Sequence, residues 1–261
     1  MERVIIAALV LTAALASPSS AVAQCPADNG TVVARYQLDE ADGLIAHDEI
    51  GGHDGTLING PTWDPNGGHL CGGGALVLDG FNDYVDLPWG AWDDFGPGES
   101  FCISCCFYAE TVLAGSPHII GRYHPSNDGG MSILYGLEFE SGQDYPGHVV
   151  FSFRTDYGGG AIYVISTEPY EPGVWHSVCG VRDRGADELR LYVDGELAAP
   201  PVSDTFPEDQ GMTQNHFVIG RTGDSDQEYF TGKVDNVAIW RGLGPCPAEQ
   251  ASWSVVKSLY R

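Results

Sequence analysis

Apolar residues occur along the chain in short runs that are rich in Val, Ile, Tyr and Phe, and turns with glycine and aspartate separate the runs. Runs of this length, broken about every ten residues, are typical of β-strands. The pattern predicts strands at residues 32–38, 55–58, 75–78, 84–87, 101–109, 118–123, 134–140, 148–154, 161–166, 175–182, 188–193, 216–220 and 232–240. Because one twisted sheet seldom holds so many strands, two stacked antiparallel sheets are expected.

Two turn sequences predict β-hairpins. In GALVLDGFNDYVDLP, residues 74–88, two apolar runs flank an acidic turn that begins at Asp79-Gly80, which is typical of a hairpin with a carboxylate-rich corner. Asp194 and Gly195 also separate two apolar runs. An Asp-Gly pair accepts the positive φ angles of a type I′ turn, so a second hairpin is predicted there.

The two ends of the chain follow other patterns. Residues 1–23 have a charged start, an apolar segment and an Ala-x-Ala site that ends at Ala23, which predicts a cleaved secretory signal peptide. Its apolar segment is too short for a membrane-spanning helix, so no membrane insertion is expected. Residues 24–261 then form one domain, and 247–259 are predicted to be a short C-terminal helix docked on the sandwich. The protein is expected to be secreted, periplasmic or held at the cell surface.

The net negative charge of the chain argues against some classes of binding partner. The chain has 12 Lys and Arg against 36 Asp and Glu, which gives a formal net charge of −24. A surface of this sign repels nucleic acid and anionic membranes, so neither is a predicted partner. Carboxylates in excess also keep a protein hydrated in a salty or calcium-rich medium.

Seven cysteines in an exported chain predict disulfides, with one thiol left over. Cys25 and Cys246 bracket the domain, and a bridge between them is one expectation. Cys102 and Cys106 lie on one predicted strand, and either of them is a candidate to face Cys179 on another. A zinc site built on a C-x-x-C motif is the competing interpretation, but no second such motif completes a tetrahedron.

Four stretches in order carry a family resemblance: YQLDEADG at 36–43, GALVLDGFNDYVDL at 74–87, GVWHSV at 173–178 with LYVDG at 191–195, and VIGR at 218–221 with FTGKVDNVAIW at 230–240. They resemble the laminin-G-like jelly-roll domains of the concanavalin A-like lectin and glucanase superfamily. The resemblance implies a sandwich of two curved antiparallel sheets with about six or seven strands each. It also implies binding to carbohydrate or protein, usually without catalysis. The sequence differs from the family at Cys106, where a tryptophan is usual.

The resemblance further implies one structural calcium ion, Ca²⁺, where the N-terminal segment meets the last strand. Asp235 matches the strand-borne ligand of the family, and Asp39 and the turn at Asp79 are expected to complete the site. Calcium takes about six to eight oxygen ligands, which suits glycine-rich turns that contain aspartate.

Glucanases of this superfamily use two carboxylates that lie about 5 Å apart on a strand. Glu138 and Glu140 share one face of a predicted strand, but a third acid at the expected spacing is missing. No G-x-S-x-G motif of a serine hydrolase occurs. The sequence therefore predicts a protein that is not an enzyme, with a glycoside hydrolase as the less favoured alternative.

Sugar rings usually contact exposed aromatic residues beside polar groups. Two loops have this composition, and the candidate ligand-binding residues in them are Trp89, Trp92, Arg122, Tyr123, Asn127 and Asp128. The predicted function is a secreted, non-catalytic module that binds carbohydrate or a cell-surface glycoprotein. Protein adhesion without sugar binding is the alternative.

Overall fold

The computed structural model describes residues 30–69, 73–112, 115–124, 128–136, 144–154, 161–206, 217–221 and 228–244. These residues contain seventeen β-strands, and none of them belongs to a helix long and apolar enough to cross a membrane. The strands are β1 (Thr31–Tyr36), β2 (Ile45–Ala46), β3 (Gly55–Ile58), β4 (Thr62–Asp64), β5 (Ala75–Asp79), β6 (Tyr84–Asp86), β7 (Phe101–Ala109), β8 (His118–His124), β9 (Asp128–Tyr135), β10 (Val149–Arg154), β11 (Ile162–Ile165), β12 (Trp175–Asp183), β13 (Glu188–Val193), β14 (Glu196–Leu197), β15 (Val202–Ser203), β16 (Val218–Ile219) and β17 (Thr231–Arg241).

The strands form two antiparallel sheets that pack face to face. Within the described ranges, the nine-stranded sheet has the order β14-β13-β12-β7-β17-β5-β4, with β1 beside β17 and β15 beside β13. The eight-stranded sheet has the order β11-β10-β9-β8-β16-β6-β3-β2. Apolar side chains from the inner faces of both sheets form one buried core. This arrangement confirms the predicted all-β jelly-roll sandwich.

Several sequence predictions fall outside the described residues. These are the signal peptide at 1–23, the helix at 247–259 and the bridge between Cys25 and Cys246. The division of the chain into a signal peptide and one domain at 24–261 therefore stays a prediction.

The hairpin predicted at Asp194 and Gly195 is confirmed. It joins β13 to β14, with Val193 opposite Glu196. Asp194 has a φ of 51° and Gly195 a φ of 80°, as the predicted turn requires.

The hairpin predicted for residues 74–88 is wrong. β5 pairs with β17 and β4 in the nine-stranded sheet, whereas β6 pairs with β16 and β3 in the eight-stranded sheet. The turn between β5 and β6 therefore carries the chain from one sheet to the other. Both runs bury apolar side chains in the same core from opposite sides. The alternation of apolar and polar residues along a strand does not reveal which sheet the strand joins.

β17 changes its neighbour at a β-bulge. Its first part pairs with β5 and its last part pairs with β1, while β7 lies along its other side. The register with β7 shifts between Asp235 and Ala238, and Asn236 in the bulge has a φ of 51°. The extra residue changes which face the following side chains occupy, so that Val237 and Ile239 both enter the core.

The two sheets approach each other closely at Gly180 on β12. A Cβ atom at this position would lie 2.3 Å from Cδ2 of Phe151 on β10, whose side chain is fully buried. Only glycine therefore fits between the sheets at this point.

We expect Gly180→Ala to lower the free energy of unfolding by about 1–3 kcal/mol, because the Phe151 ring has to leave its packed rotamer. Denaturant unfolding followed by tryptophan fluorescence measures this change. Gly98→Ala is the matched control, since a Cβ at Gly98 has no neighbour within 4 Å and should change stability by less than about 0.5 kcal/mol. Equal effects of the two substitutions would contradict the packing argument.

Candidate functional site

Residues 88–94, here called the tryptophan loop, connect β6 towards β7 and fold back on themselves. Nε1 of Trp92 donates a hydrogen bond of 3.0 Å to the carbonyl oxygen of Pro88. The N–H of Asp93 donates to the carbonyl oxygen of Gly90 at 3.3 Å. A Cβ at Gly90 would lie 2.9 Å from Cδ1 of Trp92, so glycine lets the indole lie against the loop backbone.

The two tryptophans of the loop have different environments. The indole of Trp92 stacks on the imidazole of His53, with ring centroids 4.4 Å apart, and is tilted against Phe217. Trp92 is therefore partly buried and packs against the core. Trp89, in contrast, is 66% exposed, which leaves its indole available to a ligand.

Arg122 on β8 is an internal residue, contrary to the prediction that it contacts a ligand. Its guanidinium is fully buried, and Nη2 donates to Oδ1 of Asp94 at 2.7 Å. Nε lies 3.7 Å from Oδ2 of buried Asp93, which is an ion-pair distance but too long for a hydrogen bond. Opposite Arg122 stands Met131, a core residue on β9. The two predicted loops therefore do meet, through a buried ion pair that positions the tryptophan loop.

Arg241 at the end of β17 holds the same loop from the other side. Its Nη2 donates to the carbonyl oxygen of Asp94 at 2.7 Å and to that of Trp92 at 3.5 Å. Its Nη1 pairs with Glu99, beyond the loop. Backbone and side chains of the loop are thus tied to strands of both sheets.

Burial raises the pKa of Asp93 to about 6. The positive charge of Arg122 acts against this change, and the negative charge of Asp94 adds to it. Asp93 is therefore partly protonated near pH 6, while Asp94, whose side chain is 33% exposed, keeps the short bond to Arg122.

The stacking partner His53 was not predicted from the sequence, and Asp48 fixes it. Oδ2 of Asp48 accepts hydrogen bonds from the N–H and Nδ1 of His53 at 3.0 and 2.9 Å. Oδ1 accepts from the N–H of Arg35 and of Ile50. Burial raises the pKa of Asp48, but these hydrogen bonds outweigh burial and hold the pKa below its usual value. The signal in the sequence is the polar, glycine-rich stretch around Asp48.

The structure describes less of the other predicted ligand-binding residues. Tyr123 and Asp128 lie on β8 and β9, but their side chains are outside the described part of the structure. Asn127 lies outside the described residues altogether.

The three predicted calcium ligands do not form one site. Asp79 stands opposite Thr231 on β17, four residues from Asp235, which corresponds to about 13 Å along a strand. Calcium ligands lie only about 2.4 Å from the ion, so no single ion can bind both carboxylates. Across the described ranges, no group of three or more His, Cys, Asp or Glu could hold a metal ion.

These carboxylates bind backbone groups. Oδ1 of Asp39 accepts from the N–H of Gly74 at 2.7 Å, and Oδ2 of Asp235 accepts from the N–H of His69 at 2.9 Å, so the two residues hold the two ends of segment 69–74. Asp79 organises the turn between the sheets. Asp39, Asp79 and Asp235 therefore do not fit one calcium site, and a structural calcium ion stays a prediction.

We expect Asp79→Ala to lower the free energy of unfolding by about 1–2 kcal/mol, equally in calcium and in chelator. The reason is that Oδ1 of Asp79 accepts from the N–H groups of Phe81 at 2.8 Å and Asn82 at 3.2 Å, and alanine cannot. Thermal melts in both buffers test this, with exposed Asp42→Ala as the control. A loss that occurs only in calcium would identify Asp79 as a metal ligand instead.

We expect Asp93→Asn to change how stability depends on pH. The pKa of Asp93 is about 6 in the folded protein and about 3.9 in an unfolded chain, so the wild type loses stability as pH rises from about 4 to about 6. Asparagine does not ionise, so the stability of the variant relative to wild type should rise across this window, by up to about 3 kcal/mol.

Denaturant unfolding at pH 4, 5, 6 and 7 measures this difference. Asp42→Asn, on the exposed surface, should follow the wild-type profile. Parallel profiles for Asp93→Asn and the wild type would show that Asp93 titrates normally and would contradict the burial argument.

Similar structures share the fold. One is domain 4 of AbnA, a GH43 extracellular arabinanase from Geobacillus stearothermophilus, in complex with arabinotriose, with 17% identity, a TM-score of 0.61 and coverage of 85% of this chain and 98% of that chain. A second is the binding domain of Paraclostridial Mosquitocidal Protein 1, with 14% identity, a TM-score of 0.60 and coverage of 88% and 52%. A third is a mutant of Trypanosoma rangeli sialidase displaying trans-sialidase activity, with 15% identity, a TM-score of 0.55 and coverage of 83% and 32%.

The chain therefore spans nearly all of the arabinanase domain, about half of the toxin domain and about a third of the sialidase. At these identities the likeness shows the fold alone. No match was found among curated protein sequences. The model of the Laminin_G_3 family, described as Concanavalin A-like lectin/glucanases superfamily, matches residues 79–243, which include the tryptophan loop, Arg122 and β17. The chain belongs to this family of the concanavalin A-like lectin/glucanases superfamily.

Proposed function

We propose that this protein is a secreted or periplasmic, non-catalytic module that binds carbohydrate through the tryptophan loop. The observation that carries the proposal is the contrast between Trp89 and its surroundings. Trp89 is 66% exposed, whereas the residues that support the loop are buried or hydrogen-bonded. An exposed indole on a loop that is held in place offers a flat apolar surface to a ligand, with its N–H as a polar handle.

Stacking is the interaction that this geometry offers to a sugar. The flat face of an indole covers the apolar face of a pyranose or furanose ring, and nearby polar groups bind its hydroxyls. Asp94 belongs to the same loop and His53 stacks on its Trp92, and their side chains are 33% and 25% exposed, so we propose that they supply such groups. The ion pair with Arg122 fixes Asp94, and the hydrogen bonds that His53 donates to Asp48 fix His53, before a ligand arrives. This lowers the entropy cost of binding.

Neutral glycans suit this surface better than acidic ones. The chain carries a formal net charge of −24, and the tryptophan loop contains the partly exposed carboxylate Asp94. The similarity to an arabinanase domain in complex with arabinotriose supports a neutral oligosaccharide as the first ligand to test. A cell-surface glycoprotein that displays such a glycan is the corresponding macromolecular partner.

The carboxylates of the loop favour binding over hydrolysis. Asp93 is fully buried and cannot reach a glycosidic bond, and Asp94 is engaged by Arg122 at 2.7 Å. Retaining glycosidases need two accessible carboxylates about 5 Å apart. Glu138 and Glu140 lie outside the described residues, so the alternative of a glycoside hydrolase is tested directly by measuring sugar release from arabinan.

We expect Trp89→Ala to weaken glycan binding by about tenfold or more, because truncating an aromatic anchor removes its stacking contact. Titration calorimetry with arabino-oligosaccharides, other neutral oligosaccharides and uronic acid oligosaccharides measures the affinities. Phe81→Ala is the matched control, since Phe81 is an aromatic residue that is 77% exposed in the turn after β5. It should bind like the wild type.

Equal losses for Trp89→Ala and Phe81→Ala, or no loss for Trp89→Ala, would rule out the tryptophan loop as the site. A wild-type protein that binds none of the glycans would favour the alternative of protein adhesion without sugar. Binding measured in calcium and in chelator tests, in the same experiment, the separate prediction of a structural calcium ion.

A further inference from the structure

Two cysteines meet on the outer face of the nine-stranded sheet. Cys102 lies on β7 and Cys179 on the neighbouring strand β12, and their Sγ atoms are 2.8 Å apart. Both residues are fully buried. They lie in a second apolar cluster that also contains Val181, Tyr192 and Trp240 and is separate from the main core.

Strand register explains how these residues meet. Cys179 stands directly opposite Ser104, so Cys102 and Cys106 are its two diagonal neighbours on β7. Alternation along a strand puts all three residues of β7 on the same face. The right-handed twist of a sheet shortens one diagonal and lengthens the other. In this structure the Sγ atom of Cys102 lies 2.8 Å from that of Cys179, which favours Cys102 of the two candidates that the sequence leaves open.

The register also argues against a zinc site in this place. Cys102 and Cys105 have the C-x-x-C spacing, but Cys105 belongs to the main core and Cys102 to the cluster on the opposite face. Two thiols on opposite faces of one strand cannot bind the same ion. Burial also raises the pKa of Cys105, which keeps it a neutral thiol.

We propose that Cys102 and Cys179 form a disulfide that joins β7 to β12. Two sulfur atoms at 2.8 Å are inside the contact distance of unbonded atoms, and the bond length of a disulfide is about 2.05 Å. Since both sulfurs are buried in the folded protein, the bond forms during folding, before the apolar cluster closes over them.

The chemistry is a thiol–disulfide exchange with a protein or small-molecule disulfide of the export compartment. The thiolate of one cysteine attacks a sulfur of that oxidant, forms a mixed disulfide and releases one thiol. The second cysteine, as its thiolate, attacks the mixed disulfide and releases the other thiol. The protein gives up two protons and two electrons, and the oxidant leaves as two thiols.

A map of thiols and linked peptides tests the proposal on the full-length chain exported with its own N-terminal segment. The protein is unfolded in N-ethylmaleimide without reductant and digested, and fragment ions assign each cysteine. We expect Cys102 and Cys179 to be linked to each other and unlabelled, and Cys105, on the opposite face of β7, not to be linked to either of them. Label on Cys102 or Cys179, or linkage of either to Cys25, Cys71 or Cys246, would overturn the proposal.

Two variants make the assignment independent of the wild-type map. Cys102→Ala should leave Cys179 labelled and lower the melting temperature by about 10 °C, because the bond closes a loop of about 77 residues. Cys106→Ala, at the other diagonal position, should keep Cys179 unlabelled. If Cys102→Ala does not fold, the wild-type map decides alone. Label on Cys179 in the Cys106→Ala variant would contradict the proposed pairing.

Discussion

The bulge in β17 is the constraint on which the rest of the nine-stranded sheet depends. Up to Val234 this strand pairs with β5, and after the bulge it pairs with β1, so one strand near the end of the described chain joins two segments from its N-terminal part. Without the extra residue, Val237 and Ile239 would point out of the sandwich and Trp240 would point into the core. The bulge therefore keeps both parts of β17 in register with β7 and leaves Asp235 on the outer face, where it holds the N–H of His69.

The sequence predicts most of the longer strands, although β9 begins six residues before the predicted strand, and it predicts the pairing of the strands poorly. Alternation and glycine-rich turns are local signals, and they identify both the two-sheet architecture and the type I′ turn at Asp194-Gly195. They do not distinguish a hairpin from a crossing between sheets, because β5 and β6 bury their side chains in the same core from opposite sides. The hydrogen bonds that Asp79 accepts stabilise the turn in either topology, so only the pairing of whole strands separates the two.

The residue types of the candidate site could be predicted from the sequence, but the directions in which their side chains point could not. Residue types alone identify the tryptophan loop and the polar segment that begins at Arg122. They do not reveal that Arg122 points inward, because the register of β8 with β9 shifts on either side of that residue. The partner of an aspartate is also hard to predict from sequence, because in a turn its carboxylate can bind either calcium or backbone N–H groups. The predicted ligands Asp39, Asp79 and Asp235 all accept hydrogen bonds from backbone N–H groups here, and they do not form one site.

The buried ion pair between Arg122 and the tryptophan loop positions the loop more than it stabilises the folded protein. Taking a guanidinium and carboxylates out of water costs several kcal/mol per ion, about as much as their attraction returns. Two carboxylates and the cation leave the cluster with one excess negative charge, and the raised pKa of Asp93 lets a proton remove it. The cluster instead fixes the position of the tryptophan loop, because Asp94 accepts a hydrogen bond from Arg122 with its side chain and another from Arg241 with its backbone carbonyl. Because the loop that carries Trp89 is held in this way, a neutral ligand would meet a surface that needs little rearrangement.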